Sequence, residues 1–137
     1  LCQGVKDGTI DAICSDHAPV DEDAKLMPFA EAEAGSTGLE LLLPLTLKWA
    51  NEYKVSLYDA ISRITMKPAS ILGIDSGHLS LNANADIVLI NTNAAWQVKT
   101  ETLKSQGKNT VFIDMEVIGK VISTLLNGQF TYQSNQS

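Results

Sequence analysis

The spacing of apolar residues changes character once along the chain, near Gly77, and that change limits the folds open to it. Before that point the pattern is helical, apart from one short run, Thr9-Ile10-Asp11-Ala12-Ile13-Cys14, that reads as a buried strand. Beyond it the pattern alternates or gathers into β-rich runs. The expected class is therefore α/β, with a helical part carrying one strand over residues 1–76 and a β segment over residues 77–137. At 137 residues the chain holds roughly half of the ~250 that a complete (β/α)₈ barrel needs.

Punctuation marks out the elements. A helix tail is expected to end at Gly8, and a long acidic, Ala- and Gly-containing surface loop over residues 20–35 follows the strand. Thr37-Gly38-Leu39-Glu40 has the S/T-x-x-E spacing of a capping box. The helix it predicts runs through about Asn51, and its many leucines surround most of its circumference, so it should be largely buried. A second helix is predicted from Ser56 to Lys67, helped by Asp59 in its first turn, and a third opens at Pro68 and stops near Gly73. Residues 86–90 predict a strand and 96–98 a weaker one. Val117 to Leu126 and Gln129 to Tyr132 flank Asn127-Gly128, a pair suited to a type I′ hairpin turn. A polar tail, residues 131–137, is expected to fray.

Charge and cysteine usage narrow the function classes. Ten Lys plus Arg face sixteen Asp plus Glu, for a net charge of −6, and the basic residues are scattered, which disfavours a nucleic-acid surface. No basic-then-apolar leader opens the chain, and no apolar run approaches the ~18 residues of a bilayer span. Cys2 and Cys14 belong to no C-x-x-C pair and read as reduced thiols, near buried elements, of a cytoplasmic protein.

Ser15-Asp16-His17-Ala18-Pro19 stands at the C-terminal end of the predicted strand, where barrel and open α/β enzymes build their sites. Other stretches belong with it: Asp7-Gly8-Thr9-Ile10-Asp11, Lys25, Pro28-Phe29, Gly35, Gly38-Leu39-Glu40, Leu43-Pro44, Lys67-Pro68-Ala69, Gly77-His78-Leu79 and residues 85–89. In this order they resemble the last third of the dihydroorotases, cyclic amidohydrolases of the amidohydrolase superfamily.

The resemblance implies the last strand and helices of a metal-bearing (β/α)₈ barrel, followed by the C-terminal β segment of a small β domain. It implies that Asp16 touches a zinc centre and shuttles a proton, and that the backbone of Ala34 and Gly35 approaches the substrate ring. The reaction implied is reversible hydrolysis of dihydroorotate to N-carbamoyl-L-aspartate in pyrimidine biosynthesis, by a cytoplasmic homo-oligomer. A metal lowers the pKa of bound water toward ~7, and a nearby carboxylate can carry the proton to the leaving nitrogen.

The residues also depart from that pattern. Val20 stands where catalytic members usually carry a His that binds the substrate carboxylate. The resemblance therefore leaves open a non-catalytic dihydroorotase-like subunit that scaffolds aspartate transcarbamoylase, and, as a third reading, a hydantoinase or allantoinase. The family's His-x-His, its bridging group and its two further His ligands have no counterpart in the chain, which by itself is expected not to assemble the metal site. His17 should face away from Asp16 as a packing or hydrogen-bonding residue, His78 should lie in a surface turn, and Lys25 should pair with the acids at 21–23. Glu40 is explained by the capping box, and Trp49 and Trp96 by core or domain contacts.

Overall fold

Helix α1 (Cys2–Asp7) ends as expected, with Gly8 in the left-handed conformation that closes many helices. The computed structural model describes residues 1–134. Residues 11–21 join no ladder, so the predicted strand is absent, and Cys14 is exposed rather than buried. A strand must pass its N–H and C=O groups to a neighbour, and among the described residues none lies beside this segment. Arg63 partly takes that place. Its carbonyl accepts from the Ile13 N–H at 3.0 Å, and its guanidinium donates to the carbonyls of Ile10 and Asp11 at 3.2 and 3.3 Å.

The loop that follows contains one short helix, α2 (Glu22–Lys25). A 3₁₀ turn (Leu39–Leu41) then leads into α3 (Leu42–Tyr53). The predicted capping box does not form. Thr37 is buried and donates its hydroxyl to the Gly107 carbonyl, while Glu40 turns to the backbone of Lys104 and Ser105. The N–H groups left over at the turn are accepted by His17. Nor is α3 covered all round. Pro44, Thr46 and Ala50 are buried, but Leu42, Leu43, Leu45, Leu47 and Trp49 are only partly so, and Lys48, Asn51 and Glu52 are exposed.

Helix α4 (Leu57–Ser62) starts at Ser56, whose hydroxyl accepts from the Asp59 N–H at 3.1 Å. It stops five residues short of the predicted end, and α5 (Met66–Leu72) begins instead before Pro68. The reason is the proline ring, which would meet the carbonyl four residues earlier in a continuous helix.

Strands β1 (Ile87–Gln97), β2 (Glu116–Leu126) and β3 (Gln129–Gln133) form an antiparallel sheet in that order. The two strands predicted over 86–98 are one, interrupted by an irregularity between Asn91 and Ala95. Asn127 and Gly128 have φ of 49° and 76°, as the hairpin signal required. Residues 131–133 belong to β3 and do not fray, and the Ser134 N–H reaches the Ile122 carbonyl at 2.8 Å; the rest of the expected tail, 135–137, lies outside the described residues. Leu41, Val98, Leu103 and Val117 make the core, flanked by Leu45, Trp96, Phe112 and Met115. Among the described residues no helix is long and apolar enough to cross a membrane.

Candidate functional site

The extended segment, the N-terminal part of α1 and one face of α3 enclose an open groove of about 710 Å³. Asp16 and Gly35 both line it, with Ser15, Ala18, Thr37 and Gly38. Ala34, the other predicted ring-contacting residue, is exposed and is not among its walls. Cys2, Cys14, Leu42, Leu45 and Trp49 make much of the rest apolar. A few polar groups over an apolar floor is the usual make-up of a small-molecule site.

Asp16 has a φ of 46°, a left-handed conformation uncommon outside glycine and best tolerated by Asp and Asn. Its neighbours hold it there. The Ala18 N–H donates to the Ser36 carbonyl at 3.0 Å, and Nδ1 of His17 accepts from the N–H groups of Gly38 and Leu39. Val20, by contrast, is buried and packs against the α-carbon of Gly35 rather than lining the groove.

Lys25 does not pair with the nearby acids. Its ammonium donates to the carbonyls of Glu33 and Gly35, the latter at 2.9 Å, and Asn109 adds a bond to the same Gly35 carbonyl at 3.3 Å. The loop is thereby folded back with Gly35 at the groove. The carboxyl of Glu40 is pushed up by partial burial, but the hydrogen bonds from the Ser105 N–H, its own backbone N–H, the Ser105 hydroxyl and the Lys104 N–H together outweigh this and hold it below its ordinary value.

Among the described residues no three of His, Cys, Asp and Glu cluster closely enough to hold a metal ion. Nδ1 of His17 is already committed to backbone N–H groups. This donor set does not fit a catalytic zinc, which typically needs three protein ligands. His78 sits in a turn with Nε2 2.8 Å from Asp75 Oδ1. Trp96 packs on the core and donates to the Gly119 carbonyl at 2.9 Å.

Three features escaped the sequence reading. Trp49 lines the groove and stacks on Tyr53, centroids 6.4 Å apart. Thr46 also lines it, with its buried hydroxyl oxygen lacking any partner; a lone polar residue in a leucine-rich helix was the available signal. Residues 107–112 close the back of the motif, with the Asn109 carbonyl accepting from the Thr37 N–H at 2.7 Å, and Gly107 was their one sequence mark.

Residues 2–131 match the amidohydrolase family. A dihydroorotase of Wolbachia sp. subsp. Drosophila simulans is 37% identical over 132 residues, which are 96% of this chain and 30% of that protein. A dihydroorotase of Geobacter sp. strain M21 is 40% identical over 131 residues, 96% of this chain and 31% of its own length. Among solved structures, the dihydropyrimidinase of Brevibacillus agri superposes with a TM-score of 0.91 at 25% identity, covering 98% of this chain and 31% of that one. The chain thus spans about a third of the length of the relatives it matches.

Proposed function

The chain belongs to the amidohydrolase family, and from that premise we propose that it serves as the C-terminal part of a dihydroorotase, opening the cyclic amide of dihydroorotate to N-carbamoyl-L-aspartate. Residues 1–76 then contribute the last strand and helices of the barrel, and residues 77–137 the β segment beside it. The extended run before Asp16 becomes the eighth strand once a neighbour pairs with it. The observation that carries the reading is the convergence of Asp16, in a left-handed conformation, and Gly35 on one apolar-floored groove.

Chemically, a water adds to the amide carbonyl and the ring C–N bond breaks. The Asp16 carboxylate accepts the proton of the attacking water and returns it to the departing nitrogen. The backbone at Ala34 and Gly35 borders the substrate ring. Zinc belongs to this reading as an ion of the whole protein, with Asp16 one of its ligands and the other donors outside this chain. A cytoplasmic homo-oligomer in pyrimidine biosynthesis completes the reading.

The test is dihydroorotate hydrolysis by the whole zinc-loaded protein and by Asp16→Ala, with the variant expected to lose a factor of about 10² to 10⁴. Activity that survives this change refutes the proton-carrying role. One observation favours a second reading, a non-catalytic partner of aspartate transcarbamoylase: Val20 offers neither donor nor charge where the resemblance implies a carboxylate-binding His. Co-purification with a transcarbamoylase, without dihydroorotate hydrolysis, selects that reading.

A further inference from the structure

His17 is attached to the molecule in an unusual way. Its Nδ1 accepts two backbone hydrogen bonds, from the N–H groups of Gly38 and Leu39, each at 3.1 Å. These open the 3₁₀ turn and α3, a position normally capped by Ser, Thr, Asp or Asn. A nitrogen that accepts carries no hydrogen of its own, so Nδ1 acts here as the acceptor of the ring. On the other side of Asp16, the Ser15 carbonyl oxygen packs so closely on Gly38 that a Cβ there would lie 2.9 Å from it.

Asp16 is therefore bracketed. The residues before and after it both meet Gly38, Ser15 by close packing and His17 by a hydrogen bond, and between them its backbone takes the left-handed φ of 46°. That conformation is sparsely populated for a residue with a Cβ, and such conformations persist when the surroundings over-determine them. We infer that His17 is the positioning residue of the site, holding Asp16 at the groove by accepting through Nδ1 from the N–H groups that open the 3₁₀ turn before α3. This rests on the reading of Asp16 as the proton carrier. His17 itself touches no reacting atom.

Amide isosteres separate this role from bulk packing, because the Asn side-chain oxygen falls where Nδ1 lies and the Gln oxygen falls nearer Nε2. In the whole protein, His17→Gln is expected to lower kcat about 10²-fold, the scale of a small misplacement of a reacting group, with KM changed less than about threefold. His17→Asn should recover most of that loss. Equal losses in the two variants, or a loss confined to KM, overturn the inference. Nitrogen NMR of the unmodified protein supplies a readout independent of activity: Nδ1 of His17 should resonate as an unprotonated acceptor. A protonated Nδ1 overturns the positioning role whatever the rates. An acceptor Nδ1 in a protein that hydrolyses no dihydroorotate upholds the anchoring and refutes the substrate assignment alone.

Discussion

Gly35 has a φ of 138°, and a Cβ there would lie 2.5 Å from the Ala18 carbonyl oxygen and 2.8 Å from Cγ2 of Val20. Backbone strain and steric conflict thus coincide at one position. Gly35→Ala in the whole protein is expected to cost on the order of 3 kcal/mol, from forcing a Cβ into a disfavoured φ and overpacking a filled space. Urea unfolding checks this; a change of less than roughly 0.5 kcal/mol, the size of an ordinary surface substitution, would count against it. Val20 takes part in the same contact: it is buried, and its Cγ2 fills the space that a Cβ at Gly35 would need.

At the scale of elements, Glu40 joins the start of α3 to the segment after β1. One carboxylate oxygen accepts from the N–H groups of Lys104 and Ser105 at 2.7 and 2.6 Å, and the other from the Ser105 hydroxyl at 2.9 Å. Glu40→Gln is expected to cost roughly 1–2 kcal/mol, a charged hydrogen-bond value reduced for partial exposure. Because the folded carboxyl titrates below its ordinary 4.5, its contribution is complete above that pH and is lost as pH falls through the lower folded value. The gap between parent and variant should therefore be constant near neutrality and close on acidification; a gap that persists below the folded value would refute the assignment. The capping-box reading of these residues failed because spacing reports what Thr37 and Glu40 can reach locally, and both found partners across the molecule. Ser56, Gly73 and Asn127-Gly128 were legible because their constraints are local, a cap or a positive φ. Asp16 and Gly35 were legible through a motif, whereas His17 as a cap and the loop at Asn109 depend on contacts between distant segments.

The whole molecule exposes 9467 Å², where a compact monomer of this size exposes about 7000 Å². Much of the surplus is apolar. Val88, Leu89, Ile118 and Phe130 of the sheet are each at least half exposed, and so are Ile71 and Leu72 of α5. The expectation that α3 is largely buried, and residues 10–14 with it, fails for the same reason, since the partners that would cover them are not among the described residues. Sequence periodicity records the burial a segment is suited to, and the sheet and helices here supply only part of it. The apolar surface gives a direct expectation for the 137-residue chain expressed by itself: it should bind a hydrophobic dye such as ANS and associate progressively as concentration rises, because exposed patches beyond a few hundred Å² mark surfaces meant to be covered. The whole protein at equal molar concentration should bind far less dye. Sedimentation velocity across a concentration series, with dye fluorescence on the same samples, decides the matter; a monodisperse, dye-silent chain would show that these faces are stable in water, and the covering argument would fall.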